Sequence, residues 1–175
     1  MADSDSLTRP RFFFGKLLTA EDFAQEQQYV LDKLKRHNRS LHGLGIVSGL
    51  KVTTKSGKIA IDPGLALDCQ GNEIVIGTIQ LISPPATAEP GAAYVNIRYA
   101  EEQIGPVTID GEANASTIKE SFEIHIENDN CNRGHRHVRA RWLACGVLHS
   151  LTIAKLKHSS QGWRVDRGYR PPAVK

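Results

Sequence analysis

Apolar residues fall into two regimes along the chain. Phe23, Val30, Leu34 and Leu41 recur at intervals of 7, 4 and 7, with Leu31 beside them, which is a single stripe at helical period. Thr19-Ala-Glu-Asp22 supplies a start signal, since a Thr hydroxyl accepts a backbone N–H while Glu21 and Asp22 sit at the positive end of the helix. Acids lie early (Glu21, Asp22, Glu26) and bases late (Lys33, Lys35, Arg36, Arg39), as the macrodipole favours, and Gly43 and Gly45 supply the stop. A helix over 20–42 would be roughly 34 Å long. Its stripe is narrow and its other faces polar, so it either lies across a sheet or packs against the same helix of neighbouring subunits.

After Gly49 the pattern changes to short apolar or alternating runs at 50–52, 59–61, 65–67 and 74–76, separated by Lys55-Ser-Gly57, Asp62-Pro-Gly64 and Gln70-Gly-Asn72. This is the spacing of a β-meander. A Pro-rich connector spans 83–92, after which 94–99 and 122–126 alternate as half-buried strands do; 138–148, 151–156 and 163–165 complete the strands. The expected class is therefore α+β: a long N-terminal amphipathic helix, with residues 1–49 as helical arm and 50–175 as a mostly antiparallel, sandwich- or barrel-like β body. No internal repeat interrupts it.

Composition narrows the picture. With 175 residues, 40% of them hydrophobic, the chain suits one domain with an arm and is long enough to build a core without disulfides or metal. The longest apolar runs fall far short of the ~20 residues of a membrane span, and the acidic start Met1-Ala-Asp-Ser-Asp5 does not read as a signal peptide, which places the protein in the cytoplasm. Three cysteines, Cys69, Cys131 and Cys145, read as free thiols of a reducing compartment. The net charge of +3 hides an asymmetry: residues 131–175 hold ten Lys/Arg against Asp166 alone, or +9, leaving −6 on the remainder. Such polarity serves contact between subunits or attraction to an anionic partner.

Candidate chemistry is sparse. Gly43-Leu-Gly45-Ile-Val-Ser-Gly49 follows a helix instead of preceding one, the reverse of a dinucleotide fingerprint, and Ser48 is in no nucleophile elbow. His37 and His42 are five apart, not the four of a zincin helix. Cys131-Asn-Arg-Gly-His135-Arg-His137 with Cys145 offers two thiolates and two imidazoles for zinc, but C-x3-H-x-H-x7-C matches no standard finger; a polar hairpin loop feeding a core strand, with Cys145 a small core residue, is the competing reading. Arg133, Arg136, Arg139 and Arg141 would form a basic strip, yet no aromatic pair or recognition helix accompanies them, so nucleic acid is not the expected partner. Asp62, Asp68 and Glu73 occur in turn sequences, where Asp caps backbone amides. No catalytic residue and no cofactor site is assigned. Phe12, Phe13 and Phe14 are either an aromatic anchor for a partner or a staple closing the domain's own core.

The run Arg9-Pro-Arg-Phe-Phe-Phe-Gly-Lys-Leu-Leu-Thr-Ala-Glu-Asp-Phe23, then Glu26-Gln27, Tyr29 and His37-Asn-Arg-Ser-Leu-His-Gly-Leu-Gly-Ile-Val-Ser-Gly-Leu50, resembles proteins encoded with phage tail-like contractile injection systems. Pro63-Gly-Leu-Ala-Leu-Asp-Cys-Gln-Gly-Asn-Glu-Ile-Val-Ile76, Trp142-Leu-Ala144 and Trp163-Arg-Val-Asp-Arg167 continue the likeness; residues 100–140 match least. The resemblance implies a non-enzymatic structural component near the baseplate or tail fibre of a phage-like particle, with other particle subunits, and copies of itself, as partners. Read from the residues themselves, the contacts would be made by Phe12, Phe13 and Phe14 and by the helix stripe Phe23, Val30, Leu34 and Leu41. A small zinc-dependent enzyme or metal-stabilised binding module, built on the Cys131–Cys145 region, is the alternative.

Overall fold

Thr19 opens the helix as its sequence predicts. The Asp22 amide donates to the Thr19 hydroxyl at 3.3 Å and the Thr19 amide donates to the Asp22 carboxylate at 3.2 Å, a capping box closed by aspartate. Lys16 Nζ lies 2.5 Å from the same carboxylate and, with the Thr19 amide, holds it below the usual carboxylate range. The computed structural model describes residues 7–86, 91–132, 145, 149–160 and 162–174. Helix α1 spans Ala20–His37 and widens into a π-helical turn over Asn38–His42, ending at Gly43 with φ 74°. The expected helix over 20–42 thus changes its winding in the last turn, where Asn38 is drawn into the body and is 5% exposed.

Among the described residues ten strands follow, paired antiparallel in three sheets. The first contains β1 (Gly45–Gly49), β4 (Gly64–Leu67) and β5 (Glu73–Ile76) in the order β1-β4-β5. In the second, β2 (Val52–Lys55), β3 (Lys58–Ile61) and β6 (Gln80–Ile82) have the order β2-β3-β6. The third holds β7 (Ala92–Ile109), β8 (Glu112–Glu127), β9 (Leu151–Ser159) and β10 (Gly162–Val165) in the order β10-β9-β7-β8. The first six strands are therefore not a meander. β2–β3 and β4–β5 are hairpins, but the chain leaves the first sheet at Leu50, which has φ 54° and is buried, to build the second before returning. Gly49 permits that exit: a Cβ there would overlap the Pro63 carbonyl oxygen, which accepts the Leu50 amide at 3.2 Å.

One hydrophobic core joins the sheets. Ile59 and Ile61 of β3, Ile74 and Ile76 of β5, Val95 and Ile97 of β7, and Leu151, Ile153 and Leu156 of β9 are all buried in it. Each contributes about 1.5–3 kcal/mol by leaving water. Strand β7 departs from the half-buried pattern expected for 94–99, because residues 93–97 are covered on both faces. Asn96 is accommodated by accepting the Thr152 hydroxyl at 2.6 Å and donating to Glu127 at 3.2 Å. The chain stays ordered beyond Pro171-Pro172: the Ile46 amide donates to the Pro172 carbonyl at 2.8 Å and the Val174 amide to the Ile46 carbonyl at 3.1 Å. Of the strand expected at 138–148 only Cys145 is among the described residues, and it lies in no strand.

Candidate interaction surface

No residue of α1 is buried. Phe23, Val30, Leu31, Leu34 and Leu41 are all exposed, so the apolar stripe lies on no sheet, and the expectation that the helix crosses one is overturned. Among the described residues, the C-terminal end of the helix is the part that is seated. Asn38 Nδ2 donates to the Gly71 carbonyl at 3.0 Å and Arg39 Nη1 to the Gln70 carbonyl at 2.5 Å, both in the turn between β4 and β5. The helix backbone passes so close at Lys35 that a Cβ on Gly71, at φ 86°, would overlap the Lys35 carbonyl oxygen. Lys35 Nζ also stands 6.0 Å from the Tyr99 ring centroid.

The segment before the helix is equally open. Phe12 is 49%, Phe13 63% and Phe14 106% exposed, with Leu17 at 83%, so the phenylalanines do not close the domain's own core. Local contacts shape the segment instead: Lys16 Nζ lies 5.5 Å from the Phe12 ring, Arg9 5.9 Å from the Tyr29 ring, and the Lys16 amide donates to the Phe13 carbonyl at 3.1 Å. Together the arm displays ten large apolar side chains, Leu18 included, that the described residues leave exposed.

A second projection was not legible in the alternation pattern. β7 pairs with β9 only to Ile97, but continues with β8 in unbroken register from Tyr94↔Glu127 to Ile109↔Glu112. Asp110-Gly111, at φ 52° and 83°, closes it as a two-residue type I′ turn. Ile104, Val107 and Ile118 are exposed on this ribbon. Charged pairs across it, Lys119–Glu102 at 3.0 Å and Arg98–Glu123, guard its open edges against indiscriminate pairing. The Asp-Gly pair is the sequence signal that would have found it.

The cysteines regroup relative to expectation. Of the predicted zinc set, His135 and His137 lie outside the described residues, as do Arg133, Arg136, Arg139 and Arg141. Cys145 is half-buried and joins not the core but His149, its Sγ 3.3 Å from Nε2. Cys69 completes the group: the ligand atoms of Cys69, Cys145 and His149 all lie within 4.8 Å of one another. Burial, then Cys145 and the Asp68 carboxylate, push the Cys69 thiol up to about 12, so it is protonated at neutral pH in the absence of a cation. Cys131 is outside this trio; its thiol is also raised, by burial and by Glu127 and Asp129. Cys69, Cys131 and His149 line a cavity of about 210 Å³ with Leu44, Asp68 and Asn132. Among the acids singled out in turns, Asp68 is buried and accepts the Gln70 amide at 2.8 Å, the Asn72 amide at 2.9 Å and Asn72 Nδ2 at 2.7 Å. The His37 and His42 rings meet at a tilt of 59° with centroids 5.4 Å apart and belong to no three-ligand group among the described residues. No helix of the described residues is long and apolar enough to cross a membrane.

No protein-family model matches the sequence and no curated protein matches it. Solved structures share the fold. A chain of the type VI secretion system TssK-TssF-TssG baseplate subcomplex, seen by cryo-electron microscopy, aligns with TM-score 0.57 and 13% identity over 96% of this chain and 62% of its own. A chain of the type VI secretion baseplate complex gives 0.57 and 12% over 95% of this chain and 42% of its own. A crystal structure of TssK gives 0.56 and 12% over 96% and 42%. The chain spans less than two thirds of each of these relatives, and at such identities what it shares with these baseplate proteins is the fold.

Proposed function

We propose that this chain is a non-enzymatic structural and assembly component of a phage tail-like contractile injection particle, placed at its baseplate and built into it in the cytoplasm. The observation that carries the reading is α1, a capped helix whose apolar stripe is exposed and whose contacts with the body, among the described residues, gather at its C-terminal end. An isolated helix of 18 residues has marginal stability in water, and an apolar face of this kind gains most by docking on another subunit. The aromatic triplet beside it supplies the large rigid groups that dominate association energy. The fold shared with type VI secretion baseplate proteins supports a baseplate setting, as does the sequence resemblance. Partners are other particle subunits and further copies of this chain, met through the arm and the β surfaces.

The test is the mass of the purified chain alone and with co-expressed particle components, for the full chain and for a variant lacking residues 1–18. The full chain should enter complexes, and the truncated one should assemble at least about tenfold more weakly while its β body keeps its circular dichroism. Undiminished assembly of the truncated chain would remove the arm from the mechanism.

A further inference from the structure

Two thiols and an imidazole from distant parts of the sequence meet under the foot of the arm. Cys69 stands in the 68–72 turn between β4 and β5; Cys145 and His149 lie four residues apart just before β9. The Cys145 Sγ–His149 Nε2 separation is 3.3 Å, and all three ligand atoms are within 4.8 Å. Around a tetrahedral zinc ion with Zn–S near 2.3 Å and Zn–N near 2.1 Å, neighbouring ligand atoms stand about 3.5–3.8 Å apart. Side-chain adjustments of about 1 Å therefore suffice to close the three on a cation.

We propose that Cys69, Cys145 and His149 form a binding site for a thiophilic divalent cation, zinc by the chemistry of its donors, with water from the adjoining cavity in the fourth position. Two sulfurs and an imidazole select zinc over magnesium or calcium, which take oxygen. The surroundings suit a dication. The buried Asp68 carboxylate adds negative charge next to Cys69, and its three hydrogen bonds fix the turn that presents the sulfur. The same turn carries the arm, through Asn38 on Gly71 and Arg39 on Gln70, and touches the other ligand segment through Gln70 Nε2, which donates to the Cys145 carbonyl at 3.4 Å. A bound ion ties the segment leading into β9 to the footing of α1, so its role is structural. It is independent of the assembly reading and is measured on the chain alone.

The full chain, purified under a non-metal-binding reductant, is assayed by elemental mass spectrometry and, after metal removal, by cobalt(II) titration. The expected result is about one zinc per chain and, with cobalt, the intense visible bands of a tetrahedral ion together with a thiolate-to-metal band in the near ultraviolet. Cys69→Ser and His149→Gln should each weaken cobalt binding by more than the about 10- to 100-fold that loss of an outer-shell partner costs. Cys131→Ser and a His135→Ala/His137→Ala double variant should leave it unchanged. Circular dichroism checks the folding of each variant, and the wild-type thiolate band decides the matter should Cys69→Ser not fold. Absence of that band overturns the proposal. So does transfer of the metal dependence to Cys131, His135 and His137, or the finding that Cys69 and Cys145 form a disulfide in place of taking up metal.

Discussion

One carboxylate, that of Asp68, satisfies two backbone amides and a side-chain amide inside the protein. Removing it leaves those donors in a place water reaches poorly. Asp68→Ala should therefore lower stability by about 3 kcal/mol in urea unfolding, a larger loss than at Asp62, which sits outside such a network. Asp166 shows the surface counterpart. Lys157 Nζ at 3.0 Å, the Gly168 amide at 3.0 Å and Lys155 Nζ at 3.9 Å hold its carboxyl below the ordinary aspartate value. A carboxyl with a lowered folded-state value adds stability above its unfolded-state value and loses it as pH falls through the lowered one. The gap in melting temperature between wild type and Asp166→Asn should accordingly be open at neutral pH, shrink as acid approaches the carboxylate range, and vanish below it. A gap independent of pH would show that packing, not charge, carries the residue's contribution.

Among the elements, α1 is governed from its ends, while its flank supplies no side chain to the core of the described residues. Leu34→Glu should change unfolding free energy by no more than about 0.5 kcal/mol while abolishing co-purification with particle subunits; a large stability loss would mean the stripe is covered. The helix was legible because the capping Thr19, the charge gradient and the 7-4-7 spacing are all local. Where its stripe goes was not, since period reveals that a face is apolar and not what covers it. The ribbon of β7 and β8 fails for the converse reason: Glu101, Glu102 and Gln103 face water, so no buried side enforces alternation, and only Asp110-Gly111 marks the turn. The Cys69 group escaped because spacing rules detect ligands near in sequence, whereas Cys69 comes to Cys145 through the fold.

For the molecule as a whole, the side chains of three sheets interleave in one core, with Leu50 at the crossing between the first two. Such sharing makes the body a single cooperative unit. Urea unfolding followed by tryptophan fluorescence and by β-sheet circular dichroism should give coincident midpoints, with the helical signal free to melt earlier because α1 owes the core nothing. Separate midpoints for fluorescence and sheet would divide the body. The α+β character was readable from the change of period at Gly49, but the strand order was not: hairpin turns such as Lys55-Ser-Gly57 declare neighbours, while the pairing of β1 with β4 and β3 with β6 depends on which buried faces fit.

The in-register ribbon has a practical corollary. Its tip stands roughly 40 Å along the strand direction from the last residue that β9 supports, and it ends in a two-residue turn. A short epitope spliced between Asp110 and Gly111 would ride at the end of a stiff mast, away from the core, and an antibody fragment bound there would mark the orientation of each copy in electron micrographs of an assembled particle.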